Sequence, residues 1–276
     1  MSTPTITPNL LISTRTTPLL RLPAYEAAAH EAAFTGIDLD GVGDVRRAMV
    51  AGRSLERAIA HHSVRSLWLR PVQLEGVGEL PLATPQVAAG NGRPPLLLVI
   101  DVPEMIAEPD ALGLQVQAAA RVRSLSDRPL DIALAVRAQN PDGSRRNLER
   151  VTMLRHVCSE WDLQIALDLL PTPDGSWEAE AALVRILPRL AMVRIGIPRT
   201  MFSGGHRWRI ASRVVATLAD GGYAGYLSLA PELSLWEKRS TVTVADRCAS
   251  FAANVERRAV RQRNQRARRP RQRQIG

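Results

Sequence analysis

The chain has 276 residues, 45% hydrophobic and 23% charged, which supports a sizeable buried core and excludes a disordered chain. Its net charge of +9 is gathered at one end: residues 257–276 hold nine Arg and no acidic residue, and the remainder balances at 27 basic against 27 acidic residues. Two cysteines exclude a disulfide framework, and the longest aliphatic run, Leu96–Ile100, is far below the ~20 residues that span a bilayer, so no membrane span is expected.

In chain order, Leu10–Ser13 reads as a first strand and the Ala-rich segment Pro23–Thr35 as a helix. Gly36–Asp40 is the second strand, and Asp44 caps a helix carrying Val45, Met49, Leu55 and Ile59. Ser66–Leu69 is the third strand, followed by a Pro- and Gly-rich loop over 71–95. Leu96–Asp101, a helix over Asp110–Leu125 and a strand over Asp131–Arg137 come next. After the Asn140-Pro-Asp-Gly turn, Leu148, Val151, Leu154, Cys158 and Trp161 recur at helical spacing. Gln164–Leu169 is the sixth strand. Ser176 caps a helix with Trp177, Ala181, Val184 and Leu187, and Met192–Gly196 is the seventh strand. A helix over His206–Ala219 stops at Gly221-Gly222, Tyr226–Leu229 is the eighth strand, and a last helix begins near Thr243 with Val244, Cys248, Phe251 and Val255 on one stripe.

Strands that alternate with helices pair in parallel, and eight such units in about 250 residues fit a closed (β/α)8 TIM barrel. An open doubly wound sheet would carry a Gly-rich phosphate loop after an early strand, and Gly41-Val-Gly43 lacks the third glycine. Residues 1–256 are therefore expected to form the barrel with a C-terminal docking helix. Residues 257–276 form an Arg-rich tail with no core to face, expected to be disordered and broken by Pro270. An N-terminal basic and apolar leader pattern is missing, so a cytoplasmic location is expected.

A TIM barrel places its site at the C-terminal ends of the strands. The polar residues there are Asp40, Arg70, Asp101, Arg137, Asp168, Arg194 and the Ser228/Glu232 region. Asp38 and Asp40, two apart, share one face of the second strand, and the pair is expected to flank the turn at Gly41–Gly43. The five histidines all lie in or beside helical segments, and no nucleophile, zinc or phosphate-loop motif is found.

Residues Arg150–Gly196 present a helix, a strand ending in Asp, a long loop with a helix, and another apolar strand. In this order they resemble the xylose isomerase-like TIM barrels of the sugar phosphate isomerase/epimerase superfamily. "DGGYAGYLSLAPE" (220–232) and "EAAFTGIDLDG" (31–41) resemble the family's last and early strands. The resemblance implies Mn²⁺, Mg²⁺ or Zn²⁺ held by carboxylates and imidazoles, polarising a sugar oxygen while a carboxylate moves a proton. Against that pattern, Arg137 and Arg194 stand at ligand positions, Asp168 is kept, the His after it falls within Leu170–Thr172, and Ala230 replaces the final Glu, with Glu232 two residues on. Guanidinium cannot ligate a metal, so no metal cofactor is expected; two arginines favour an anion instead.

The expectation is a divergent sugar (phosphate) isomerase/epimerase-like barrel that binds an anionic small molecule through Arg137, Arg194, Arg70, Asp101 and Asp40. Asp168 and Glu232 are its catalytic candidates. Mutual pairing of Arg137, Arg194, Asp168 and Glu232, closing the mouth, is the competing arrangement. The alternative function is a metal-free binding or scaffold protein, associated with nucleic acid or an acidic partner through residues 257–276. Nine arginines there can neutralise phosphates, with no aromatic residue to stack on bases.

Overall fold

In the computed structural model, the described residues are 9–15, 22–40, 64–69, 96–101, 130–137, 144–169, 179–197, 205–231, 243–254 and 257, 260, 261 and 264. The strands are β1 (Asn9–Ser13), β2 (Gly36–Asp40), β3 (Val64–Leu69), β4 (Leu96–Asp101), β5 (Leu130–Arg137), β6 (Gln164–Leu169), β7 (Leu190–Ile197) and β8 (Tyr226–Pro231). The helices are α1 (Leu22–Glu31), α2 (Ser144–Glu160), α3 (Ala179–Ile186), α4 (Gly205–Asp220) and α5 (residues 243–254), with a 3-10 turn at Leu187–Arg189. Every strand pairs in parallel with its sequence neighbours, and β8 returns to β1 through Asn9↔Tyr226 and Ile12↔Leu229, closing an eight-stranded barrel. The expected (β/α)8 architecture is the one formed.

Alternation along the strands builds two separate cores. Ile12, Ile37, Leu39, Leu98, Ile132, Leu167 and Leu229 face outward, where they meet Tyr25, Leu154, Leu183, Val215 and Phe251 of the helices. Leu11, Trp68, Leu97, Val99, Ala133, Ala135, Ala166 and Met192 fill the interior. The alanines of β5 and β6 leave the volume that the Trp68 indole occupies, since a barrel core packs by matching large against small side chains.

Three helix-to-strand turns share one geometry. Ala33, Asp162 and Gly222 each take positive φ (56°, 51° and 69°). The next residue's N–H then reaches back to the carbonyl five positions earlier: Phe34 to Ala29 at 2.8 Å, Leu163 to Cys158 at 2.8 Å and Tyr223 to Leu218 at 2.9 Å. A left-handed residue after the last turn satisfies a helix's open carbonyl and turns the chain into the following strand.

Some expectations need correction. Trp161 was placed on the apolar stripe of α2, but the helix ends at Glu160 and the indole is 44% exposed. Val184 was placed on the buried stripe of α3, yet it is 62% exposed; Leu183 and Ile186, three apart, carry that stripe. β8 continues through Ala230 to Pro231, beyond the expected end at Leu229, because a proline at a strand terminus gives up no ladder bond there. The expected helices at 44–59 and 110–125, the loop at 71–95, Ser176 and Trp177 lie outside the described residues, as does most of 257–276; the described residues of that segment, Arg257, Val260, Arg261 and Asn264, are exposed but helical, against the disorder expected there.

Cys158 and Cys248 are both buried thiols. Burial pushes the Cys158 thiol up to about 12, against the opposing pull of Arg189, and burial raises Cys248 as well. A thiol whose pKa is raised stays protonated and unreactive below that value. A thiol-specific reagent at mildly alkaline pH is expected to label neither cysteine in the folded protein and both in denaturant. Rapid native labelling of either one contradicts this packing.

Candidate functional site

The interior of the barrel changes character toward the C-terminal ends of β1, β2, β3, β6, β7 and β8. Ser13, Asp38, Ser66, Asp168, Arg194 and Ser228 are all completely buried there. Parallel register sets Ser13, Asp38 and Ser66 level on β1, β2 and β3. It likewise sets Arg137, Asp168, Arg194 and Ser228 level on β5 to β8.

Asp38 is the hub. Its Oδ1 accepts from Ser66 Oγ at 2.7 Å, and its Oδ2 accepts from Ser228 Oγ at 2.6 Å and from Arg194 Nε at 2.8 Å. Arg194 reaches across from β7, and its Nη1 also donates to Asp40 Oδ2 at 3.3 Å. The flat guanidinium lies over the Trp68 ring, 3.7 Å from its centroid, a cation–π contact in a dry interior. Burial works against the Arg194 charge, but Asp38, Asp168 and Asp40 outweigh it and hold the pKa above the usual arginine value. The guanidinium is thus a fixed cation that never titrates.

A second pair sits above it. Arg15, just past β1, donates through Nη1 to Asp168 Oδ2, and its Nε lies 3.9 Å from Asp40 Oδ2. The Asp40 backbone N–H donates to Thr14 Oγ1 at 3.0 Å, which ties the end of β2 to the end of β1. Arg15 and Asp40 keep 19% and 14% of their side chains exposed, whereas Asp38, Asp168 and Arg194 keep none. Arg15 and Asp40 therefore form the solvent-facing layer of the cluster.

Two buried donors of this cluster, Trp68 Nε1 and Arg194 Nη2, have no hydrogen-bond acceptor among the described residues. The latter lies 2.8 Å from Asp38 Oδ2 but without the alignment a hydrogen bond needs. A buried donor left unmade is costly, and such groups are normally met by water or a ligand oxygen.

Of the residues expected at the site, Asp40, Asp168 and Arg194 converge. Arg194 pairs with Asp38 and Asp40, and Asp168 pairs with Arg15. Asp101 ends β4 and Arg137 ends β5, but only their backbones are described. Arg70 and Glu232 lie outside the described residues. Asp38, expected to flank the turn at Gly41–Gly43, is instead the centre of the cluster. Arg15, Ser66, Trp68 and Thr14 were not singled out from the sequence.

The divalent ion that the sequence resemblance implies does not fit the described donors. Asp38, Asp40 and Asp168 each accept from a guanidinium group, and no three His, Cys, Asp or Glu residues among the described ones are placed to hold a metal. The Arg194 cation lies among the carboxylates that an ion would need.

No protein-family model and no curated protein matches the sequence. Solved structures do match in fold. The 3-keto-D-glucoside 4-epimerase of E. coli is 15% identical with a TM-score of 0.53, the match covering 90% of this chain and 100% of that one. The D-allulose 3-epimerase of Methylomonas sp., solved with D-allulose, is 14% identical with a TM-score of 0.56 over 90% and 96% of the two chains. A sugar phosphate isomerase/epimerase of Parabacteroides distasonis is 10% identical with a TM-score of 0.54 over 89% and 93%. The chain has the barrel fold of the xylose isomerase-like sugar phosphate isomerases and epimerases.

Proposed function

We propose that the barrel binds a sugar phosphate, or a comparable anionic polyol, at its C-terminal mouth, and does so without a divalent metal. The observation that carries this reading is the pair of buried donors, Trp68 Nε1 and Arg194 Nη2, that lack acceptors among the described residues. Oxygen atoms of a polyol satisfy such donors. The partly exposed Arg15 and Asp40 supply a donor and an acceptor above them. Arg137, level with Asp168 at the end of β5, is the proposed contact for the anionic group, since a guanidinium fork pairs with phosphate through two parallel bonds. The fold likeness to two sugar epimerases and to a sugar phosphate isomerase/epimerase supports a sugar ligand.

Within this reading each residue has a role. Arg194 is a positioning residue: it fixes Asp38 and Asp40 and supplies the positive charge beneath the ligand. Asp168, oriented by Arg15, is the carboxylate that receives a hydroxyl hydrogen bond or proton, and Glu232 is the second acid–base candidate. Titration calorimetry with D-ribose 5-phosphate and D-ribose tests this. The phosphate ester is expected to bind at least about tenfold more tightly, and Arg137→Ala is expected to remove most of that difference. Equal affinity for the two sugars, or an Arg137→Ala variant that keeps the preference, overturns the reading.

A further inference from the structure

We infer that the opposite, N-terminal end of the barrel interior is a second small-molecule site, one that takes a neutral polyol of monosaccharide size. A cavity of about 320 Å³ opens there, lined among others by Leu97, Asp131, Gln164, Arg189, Leu190 and Tyr226. This is the low end of the range of about 300–1,000 Å³ typical of small-molecule pockets. Asp131, Gln164 and Tyr226 stand two residues before Ala133, Ala166 and Ser228, so the strand period gives them the same inward face. Leu97, Ala133, Ala166 and Met192 form the apolar core between this cavity and the mouth cluster. The two sites are therefore separate.

The lining chemistry selects the ligand. Asp131 only accepts hydrogen bonds, Arg189 only donates, and Gln164 and Tyr226 do both. Arg189 spends one Nη on the exposed Asp162, at 2.8 Å, and its other N–H groups make no hydrogen bond to the described residues. An anion here would face Asp131 and a cation would face Arg189. Hydroxyl groups donate and accept together, so neighbouring hydroxyls on one ring can meet all four groups, while Leu97 and Leu190 cover its C–H face.

The wall of the cavity is fixed. Any side chain at Gly225 would place its Cβ 2.3 Å from the Ala191 carbonyl oxygen, so β8 can start this close to β7 only with glycine. The Tyr223 hydroxyl donates to the Tyr226 carbonyl at 2.8 Å and holds the strand's first residue in place. Burial raises the Tyr226 phenol, with Arg65 drawing it down and Asp131 pushing it up, so the hydroxyl keeps its proton and can donate. Arg65 Nε is a buried donor without an acceptor among the described residues.

The test titrates myo-inositol and D-glucose into the full chain, observed by ligand NMR and calorimetry. Saturable binding at one molecule per chain is expected. Asp131→Asn and Tyr226→Phe are each expected to weaken it about tenfold or more, while Arg15→Gln at the mouth leaves it unchanged. Tyr226→Phe keeps the ring and serves if Asp131→Asn fails to fold. Neither polyol saturating the protein overturns the inference. So does binding that Arg15→Gln abolishes, or binding that both cavity variants leave intact. Phosphate-dependent binding at the mouth is read separately, so either site can fail alone.

Discussion

Replacing Arg194 with Met is expected to cost about 3–5 kcal/mol of stability, the largest loss from any single change in the cluster. The substitution keeps an unbranched chain but leaves Asp38 buried with no cation, and a charge stranded in a dry interior carries its full desolvation penalty. At a conversion of about 2–4 °C per kcal/mol for a chain of this size, the midpoint falls by about 10 °C, read in a thermal melt. Asp38→Asn in the same background is expected to recover part of the loss, because it removes the stranded charge while keeping partners for Ser66 and Ser228. If the double variant's cost equals the sum of the single costs within about 0.5 kcal/mol, the two residues are not coupled and Asp38 is not the hub.

The second large effect is at Trp68. Truncation to Ala is expected to cost about 3–5 kcal/mol, through lost burial and a cavity that the strands around it cannot collapse to fill. Ala133, Ala135 and Ala166 are too short to reach into that space. The stacking partner of Arg194 goes with it, so the cation also loses the ring that replaced its hydration. Trp68→Phe separates these contributions. It keeps an aromatic face beneath the guanidinium and deletes an N–H that has no acceptor among the described residues, so its cost is expected to stay below about 1.5 kcal/mol. Urea denaturation of the two variants checks the ordering. A Phe variant as unstable as the Ala variant would show that the indole N–H carries the interaction.

The barrel was legible because its signals are local. Each strand announced itself as a short aliphatic run, and the αβ turns carried their punctuation, Gly221-Gly222 most clearly. Ala33 and Asp162 take the same left-handed turn without a glycine, and nothing in a single sequence marks them. The site was legible in part for the same reason. Asp168 and Arg194 stand out as charges inside apolar strands, and the two-residue spacing of Asp38 and Asp40 put both on one face. The inward direction of that face could not be read, because barrel closure decides it. Closure through the β1–β8 pairing also brings β7 within reach of β2 across the barrel interior, so Asp38 meets Arg194 across 156 residues of sequence. Arg15 escaped notice because it follows the strand end, where a charged residue reads as solvated. Trp68 looked like one more apolar strand residue; only its inward side of β3 makes it the platform for a cation.

The cluster also explains how a chain can keep this fold while changing its mouth. Carboxylates gathered at strand ends repel one another unless something positive lies among them. Here that charge is covalent: Arg194 and Arg15 bring it with the chain.

The most direct measurement is elemental analysis of the purified protein together with thermal melts in EDTA and in added Mn²⁺, Mg²⁺ or Zn²⁺. A mouth organised by guanidinium groups is expected to retain no stoichiometric metal and to melt at the same temperature in every condition. One tightly held divalent ion per chain, with a midpoint that falls when EDTA removes it, would contradict the assignment of Arg194 as the resident cation.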